Sequence, residues 1–392
     1  MKNIGTISWG VILPYLREGD DLVSVVLNGV YQSFTELNLS IEDGDIIAIT
    51  ESIVARTQGN YVQLSDISQA VNDLFGCQEI AVTFPITSRN RISQQLLGIT
   101  QGVKKVYLQL AFPQDEVGNP LISQELMYTR NVDVNAIYSV QEFRALVGET
   151  VMPLTGVDYL EVYEKLNDNI EIVLANDPKA ILHYTKNILI AGVHRRHLDR
   201  KILLANGAKK VYDLSELLNQ PSESHGYNQN FGLYGSNKTG KRIKLFPRDG
   251  QDLLLALQRQ IFEDFGKKVE VMIYGDGAFK DPQCGIWELH DPCVSPFYTS
   301  GLLGTPNEMK LKDLIDAGYN ETEIRQQIAN NPYSQGAVGT TPRLYTDLLG
   351  SLSDLTSGSG DKGTPVVIIK NYFNEEKRQE IKNAESYVIE VK

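Results

Sequence analysis

Hydrophobic residues between positions 66 and 224 follow two alternating spacings. Ile67, Val71 and Phe75 recur every four residues, which is typical of one face of a helix. Residues 80–84 form a short apolar run, which is typical of a buried strand. The same reading predicts another helix around residues 92–97 and further strands at 106–110, 170–174 and 188–193. Strands that alternate with helices predict an α/β arrangement for this segment.

The two ends of the chain carry longer helices and separate buried strands. Either Asp20 or Asp21 can cap a helix that places Leu22, Val26 and Val30 on one face. Strands are also predicted at 46–50, 269–274 and 365–370, and helices at 253–265 and 344–355. Residues 311–330 are predicted to form two short helices around Gly318. The charged segment from residue 371 onward is expected to be peripheral.

A glycine-flanked aspartate follows the predicted strand at 269–274. Gly275 and Gly277 allow a turn in which backbone N–H groups converge on an anion, and Asp276 adds a carboxylate oxygen. Oxygen ligands of this kind suit Mg²⁺ or Mn²⁺. More carboxylates follow at Asp281, Glu288 and Asp291. The segment therefore indicates a metal–phosphate site. An ordinary Asp-Gly turn with solvated acidic side chains around it is equally compatible with this sequence.

Three other loops carry groups that could bind an anion. Residues 51–59 follow a predicted strand and contain the polar pair Glu51 and Ser52, then Arg56 and a glycine. This loop could hold a nucleotide through its hydrogen-bond donors and its guanidinium group. A plain strand–loop–helix junction would look the same. Residues 88–91 could bind a carboxylate or phosphate at a helix start, whereas residues 194–197 are interpreted as a basic surface turn. The glycine-rich stretch at 357–363 lies between a helix and a strand, which favours a binding loop over a flexible spacer.

Composition narrows the class of protein. The chain has 392 residues, of which 42% are hydrophobic and 22% are charged, as expected of a globular protein. Its formal net charge of -12 argues against a nucleic-acid partner, which would require a basic surface. The beginning of the chain does not resemble a signal peptide, and no apolar run approaches the length of a membrane span. We therefore expect a cytoplasmic protein with no membrane partner.

Four blocks, in this order, resemble the coenzyme F420-0:L-glutamate ligase (gamma-glutamyl ligase) family. They cover residues 13–22, 42–59, 235–276 and 347–365. The first block, Leu-Pro-Tyr-Leu-Arg-Glu-Gly-Asp-Asp-Leu, is the most specific of the four. The resemblance implies a mixed α+β fold, a gamma-glutamyl-ligase-like domain and a homodimer.

The resemblance also implies a reaction and a set of ligands. The family joins L-glutamate to a small carboxylate acceptor, using a nucleotide and a divalent metal ion. We expect GTP or ATP as the nucleotide and Mn²⁺ or Mg²⁺ as the metal. Coenzyme F420-0 and a folate- or pterin-like molecule both fit as acceptors. The alternative is a non-catalytic nucleotide-binding or regulatory protein derived from the ligase fold.

Matching positions carry the family's roles onto this chain. The expected catalytic residues are Asp276, Asn237 and Arg56, and the expected metal ligands are Asp276 and Asp361. The residues expected to bind the nucleotide are Leu13, Pro14, Tyr15, Leu16, Glu51, Ser52, Arg56, Asn237, Gly358 and Gly360.

Several family positions are altered in this chain. Tyr234 and Gly275 stand where the family has metal-binding aspartates, and Ser359 replaces a loop glutamate. Arg56 stands where the family has a lysine. The middle of the chain is also longer than in the family. We therefore predict one domain from residues 1–59 and 229–392, with a large α/β insertion at 60–228.

Overall fold

A computed structural model describes residues 4–88, 91–151, 156–275, 278–280, 287–289, 293–306, 311–330, 344–357 and 363–392. The fold is a mixture of helices with parallel and antiparallel strands, as predicted. The helices are α1 (Leu22–Glu36), α2 (Glu51–Thr57), α3 (Leu64–Phe75), α4 (Ile92–Gln101), α5 (Gln124–Thr129), α6 (Val140–Val147), α7 (Tyr159–Glu164), α8 (Arg196–Ala205), α9 (Gln251–Phe265), α10 (Leu311–Asp316), α11 (Glu321–Asn330), α12 (Tyr345–Ser357) and α13 (Glu375–Asn383).

The strands are β1 (Ile7–Val11), β2 (Ile46–Thr50), β3 (Tyr61–Val62), β4 (Glu79–Thr83), β5 (Lys105–Leu110), β6 (Tyr138–Ser139), β7 (Ile170–Leu174), β8 (Asn187–Ile190), β9 (Lys210–Asp213), β10 (Asn237–Thr239), β11 (Arg242–Lys244), β12 (Glu270–Tyr274), β13 (Ala278–Lys280), β14 (Trp287–Leu289), β15 (Phe297–Thr299), β16 (Val366–Lys370) and β17 (Val388–Glu390). Short 3₁₀ helices occur at Pro178–His183, Leu214–Glu216 and Ser300–Leu302.

The chain divides into two compact units. The first unit comprises Met1–Thr57, Asp249–Gly277 and Cys293–Lys392, and the second comprises Gln58–Arg248 and Ala278–Pro292. Residues 58–59, 229–248 and 278–292, which the sequence assigned to the first domain, therefore belong to the second unit. Strand pairing explains the difference for residues 229–248, because β11 pairs with both β10 and β3.

The first unit is built on a six-stranded sheet in the order β1-β16-β2-β12-β15-β17. The central strands β2 and β12 are parallel, and the other pairs are antiparallel. Side chains of a strand point alternately to the two faces of a sheet. Ile47 and Ile49 belong to one core cluster with residues of α1 and α9, whereas Ile46 and Ala48 belong to another with residues of α12 and α13. Both faces are covered, which explains why residues 46–49 of β2 are all apolar.

The C-terminal segment is not peripheral, contrary to the sequence-based expectation. Strand β17 pairs with β15 and forms an edge of the first unit's sheet. Ile381 on α13 is 1% exposed and belongs to the core. The high charge of this segment concealed its few buried apolar residues.

The second unit is built on another six-stranded sheet, in the order β6-β7-β5-β4-β8-β9. All of its pairs are parallel except the one between β6 and β7. From β4 the chain proceeds first to β5 and β7 on one side, and then to β8 and β9 on the other. The strand order therefore reverses direction between β4 and β8. The ends of these two neighbouring strands form a topological switch point of the sheet.

Candidate functional site

A cavity of about 410 Å³ lies in the first unit at the ends of β2 and β12. Its lining comes from four stretches of the chain that lie far apart in sequence. They are Leu13–Leu16, the start of α2, the end of β12, and the two flanks of the loop between α12 and β16. The lining residues are Leu13, Pro14, Tyr15, Leu16, Thr50, Ser52, Ile53, Arg56, Tyr274, Gly275, Asp354, Ser357, Gly363, Thr364 and Pro365.

The N-terminal wall is held in place by contacts on both of its sides. Leu16 is 7% exposed and belongs to the core, whereas the Tyr15 side chain is fully exposed. Leu13 lies against Gly29 of α1, where an added Cβ would come within 2.5 Å of the leucine Cδ2. Beyond the wall, the Gly19 amide donates to the Thr57 carbonyl at 2.9 Å. This segment thus offers an apolar wall and one exposed aromatic ring.

The junction of β2 and α2 supplies polar groups to the cavity. The Thr50 amide donates to the Pro365 carbonyl at 2.9 Å, which ties this junction to the start of β16. Ser52 and Arg56 line the cavity, and the Arg56 side chain is exposed. Among the residues that the structure describes, none forms an ion pair with Arg56. Its guanidinium is therefore free to meet an anionic ligand.

Glu51 differs from its neighbours in this junction. It is the first residue of α2 and is only 5% exposed, and it is not among the residues that line the cavity. A direct contact between Glu51 and a nucleotide stays a prediction.

Tyr274 lies at the opposite wall, at the end of β12. The residue is 2% exposed, and burial raises the pKa of its hydroxyl to about 12, although the neighbouring Ser357 hydroxyl lowers it in part. The Tyr274 hydroxyl therefore stays protonated at neutral pH. Within the described part of the chain it makes no hydrogen bond of good geometry. A ligand oxygen in the cavity could accept one.

The flanks of both glycine-containing loops reach this cavity. Gly275 precedes the first loop, and its amide donates to the Val294 carbonyl at 2.7 Å. Ser357 and Gly363 flank the second loop, and the Thr364 hydroxyl donates to the Ser357 carbonyl at 2.6 Å. All of these residues except Val294 belong to the cavity lining. The chain thus enters the first loop at this cavity, and it both enters and leaves the second loop there.

Several predicted ligands lie outside the described residues. They are Asp276, Gly358, Gly360 and Asp361, together with Asp281 and Asp291. Glu288 lies in the described strand β14 of the second unit, without a described side chain. The pairing of Asp276 with Asp361 on one metal ion accordingly stays a prediction.

Asn237 and Tyr234 lie in the second unit. Asn237 forms part of β10 and is half-buried, so its expected place beside the phosphates stays a prediction. The Tyr234 hydroxyl donates to the Gly192 carbonyl at 2.7 Å, and the ring is 3% exposed. Tyr234 therefore serves the core of the second unit.

The sequence analysis missed four polar groups that line the cavity: Thr50, Tyr274, Asp354 and Thr364. Two signals could have found Tyr274 and Asp354. Tyr274 directly precedes the Gly-Asp-Gly turn, and Asp354 lies on the last turn of the helix that leads into the other loop. Both residues flank loops that were themselves predicted to bind a ligand.

The donor set suits a hard divalent cation only in part. Among the described residues that line the cavity, Asp354 carries a carboxylate, and Thr50, Ser52 and Thr364 carry hydroxyl groups. In the described ranges no group of three His, Cys, Asp or Glu side chains could hold a metal ion. Oxygen ligands from the two loops would complete the set that Mg²⁺ or Mn²⁺ prefers.

Comparison with known proteins adds two findings. A family model described as F420-0:Gamma-glutamyl ligase matches residues 10–371 of the 392. No curated protein matches the chain. As for membranes, none of the helices among the described residues is long and apolar enough to cross one.

Proposed function

The chain belongs to the F420-0:gamma-glutamyl ligase family, and we propose that it joins L-glutamate to a small carboxylate acceptor in a reaction that consumes a nucleotide. The observation that carries this proposal is the first-unit cavity. Leu13–Leu16, Arg56 and the flanks of both glycine-containing loops all line it. These are the segments that the resemblance assigns to the nucleotide and the metal.

The residue types suit the charges of the reaction. An amide bond forms between the glutamate amine and the acceptor carboxyl group, while the terminal phosphoanhydride bond of the nucleotide breaks. One acceptor oxygen leaves with the phosphate, and the glutamate ammonium group releases protons to solvent until the single N–H of the amide remains. Arg56 would bind a phosphate oxygen and offset its charge, and Ser52 and Tyr274 would donate hydrogen bonds. Tyr15 offers a ring on which a nucleobase could stack.

A divalent cation would supply further neutralisation of phosphate charge when bound. We propose Asp276 and Asp361 as its ligands, because the described neighbours of both loops line the cavity. Asp354 is the additional carboxylate at this site. The lost family positions at Tyr234, Gly275 and Ser359 make these replacements necessary for the metal-dependent reaction.

The choice among acceptors and nucleotides stays open at this level. Coenzyme F420-0 is the acceptor named in the family's description, and a folate- or pterin-like carboxylate is the other candidate. GTP and ATP both carry the triphosphate that the cavity's donors would bind. A direct assay should therefore offer both nucleotides with each acceptor and detect the glutamylated product by mass spectrometry.

The decisive binding test is calorimetry of GTP and ATP with Arg56→Ala. We expect at least a tenfold loss of affinity, because a charge-assisted contact contributes about 1.5–3 kcal/mol. Arg56→Lys restores the residue type of the family and should retain most of the affinity. Arg325→Ala, on the exposed face of α11, is the control and should change nothing. Equal affinity of the parent and Arg56→Ala would refute the assignment.

A separate experiment tests the proposed metal ligands. Titration with Mn²⁺ should show weaker binding in both Asp276→Asn and Asp361→Asn than in the parent protein. Unchanged Mn²⁺ affinity in both variants would remove these residues as ligands. Nucleotide binding without any glutamylated product, for either acceptor, would support the non-catalytic alternative.

A further inference from the structure

A second cavity, of about 360 Å³, lies in the second unit. It opens where β4 and β8 end, at the edge where the strand order reverses direction. In open sheets of parallel strands, this is the place where ligands bind. Phe84 and Pro85 follow β4 and form an apolar wall. Glu116, Arg195 and Asp199 bring charge to the same cavity, and the His194 ring also lines it.

Asp199 is the most informative group of this cavity. It lies in the first turn of α8 and is 1% exposed. Its Oδ1 accepts a hydrogen bond from the Arg195 guanidinium at 3.0 Å. Its Oδ2 is sheltered from water and has no hydrogen-bond partner in the part of the chain that the structure describes. A buried carboxylate oxygen without a donor is unfavourable, so the arrangement calls for a donor from a ligand.

Glu116 presents a second carboxylate, and the backbone fixes its position. The amides of Val193 and His194 donate to its oxygens, and the His194 Nδ1 lies 3.7 Å from Oε2. Gly192, which precedes these amides, packs closely on the segment after β4, because an added Cβ would lie 3.2 Å from the Phe84 carbonyl oxygen. Burial raises the pKa of Asp199, and the nearby charge of Glu116 raises it further. The carboxylates of Glu116 and Asp199 thus line the same cavity.

Arg195 brings the opposite charge. Its side chain is about half exposed, at 49%, and it occupies the N-cap position of α8, where no side-chain cap is made. The guanidinium and the first amides of the helix can therefore meet an anionic group. Asp115 also lines the cavity, but its carboxylate already accepts hydrogen bonds from Thr87 and Asn119.

The loop after β4 argues against a dinucleotide at this site. Phosphate binding at such a strand end uses a glycine-rich turn. Residues 84–91 read Phe-Pro-Ile-Thr-Ser-Arg-Asn-Arg and contain no glycine. A ligand of smaller size, with both an amine and a carboxylate, matches the groups that are present.

We propose that this cavity binds a free α-amino acid. The ammonium group would donate to Asp199 and Glu116, and the α-carboxylate would accept from Arg195 and the first turn of α8. L-glutamate is the probe of choice, and this choice alone rests on the proposed function.

The test follows the His194 ring by nuclear magnetic resonance of protein labelled at its five histidines. His194→Gln identifies the signal. L-glutamate should shift it in a saturable manner below about 10 mM, which covers even a weak, millimolar site. Glutarate lacks the amine and 4-aminobutanoate lacks the α-carboxylate, so each should bind at least tenfold more weakly. Glutarate that binds as well as L-glutamate would overturn the proposal.

Variants separate this site from the first-unit cavity. Asp199→Asn should abolish the shift, and the exposed Asp168→Asn is its matched control. If Asp199→Asn fails to fold, Arg195→Ala replaces it, with the same expectation. Arg56→Ala should leave the shift intact. A ligase-active protein without the shift would refute this site alone, whereas a normal shift in an inactive protein would refute the proposed function alone.

Discussion

Glu270 is a carboxylate in the interior of the first unit. It lies at the start of β12 and is 1% exposed. One oxygen accepts hydrogen bonds from the Gly301 amide, at 3.0 Å, and from the Thr299 hydroxyl. An alanine at Gly301 would place its Cβ 2.3 Å from the Glu270 carboxyl carbon, so the glycine makes room for the acid. Burial raises the pKa of Glu270, with the hydrogen bonds acting in the opposite direction.

This raised pKa predicts a pH-dependent stability difference between the parent and Glu270→Gln. A carboxyl group with a raised folded-state pKa stabilises the fold most below its unfolded value, near 4.3, and the gain is lost as pH rises through the folded value. A tenfold difference in acid dissociation constant between the folded and unfolded chain corresponds to about 1.4 kcal/mol. The free energy of unfolding of the parent should therefore fall relative to Glu270→Gln as pH rises from 4 to 8.

Urea unfolding at several pH values measures this difference. The exposed Glu376→Gln in α13 provides the control, with a change that stays within about 0.5 kcal/mol at every pH. A parent-to-variant difference for Glu270→Gln that is independent of pH would show that the residue titrates alike in the folded and unfolded chain.

Single residues could be predicted from sequence where they stand next to a strand end or a glycine. Leu13–Leu16 and Arg56, which the sequence singled out, line the first-unit cavity, and their contact with a nucleotide stays a prediction. Tyr274 and Glu270 escaped prediction for opposite reasons. A tyrosine at the end of an apolar strand is ordinarily core, and a glutamate in a strand is ordinarily exposed. Only the fold shows which buried polar groups face a cavity.

At the scale of elements, an ion pair joins β16 to the segment before β2. The Lys370 ammonium lies 2.9 Å from Asp45 Oδ2 and donates to the Ser40 carbonyl at 2.8 Å. Both charged residues are at most 5% exposed. Glu42 lies 3.3 Å from the same ammonium group. This pair fixes the end of one central strand against the start of its neighbour.

Lys370→Met should destabilise the protein by about 3 kcal/mol, because removal of one partner leaves a buried charge uncompensated. Chemical unfolding at pH 7 measures the loss. The loss should shrink at acid pH, where a protonated Asp45 needs no cation. Lys382→Met is the control, since its ammonium is about half exposed and 3.7 Å from Asp43. Equal, small effects of both substitutions would show that the buried pair contributes no more than a surface pair.

Elements with strong periodicity were predicted correctly. Helices α1, α3 and α9 and strands β2, β7 and β16 match the predicted segments within a few residues. Short strands such as β3, β11 and β17 were missed, because two or three residues carry too little pattern. Their existence depends on partners distant in sequence, as the pairing of Val62 with Ile243 shows.

At the scale of the whole molecule, the sequence predicted a discontinuous first domain with a long insertion, but it could not locate the second boundary. The family blocks suggested a cut near residue 228, whereas the second unit continues to Arg248. Asn60 explains the difference. It is fully buried, and its amide donates to the carbonyls of Tyr227 and Phe246. The homodimer that the resemblance implies stays a prediction.

The hydrogen bonds of Asn60 lead to a prediction about fragments. Gln58 and Arg248 are the first and last residues of the second unit's main segment, and the Arg248 amide donates to the Gln58 side chain at 2.8 Å. The fragment 58–248 contains the whole parallel sheet and begins and ends at adjacent residues. We expect it to fold by itself and to unfold in one cooperative thermal transition, measured by circular dichroism.

The fragment 60–228 is the matched control, with the boundaries that the sequence suggested. It retains the same parallel sheet but lacks β10, β11 and the buried rings of Phe231, Tyr234 and Phe246. The Asn60 side-chain amide would lose its acceptor, the Phe246 carbonyl. The apolar residues that pack against the three rings would become exposed to water. At about 3–5 kcal/mol each, three buried aromatic side chains together contribute about as much as the whole stability of a typical domain, about 5–15 kcal/mol. This shorter fragment should therefore show no cooperative transition, and two fragments that unfold alike would place the boundary at residue 228 after all.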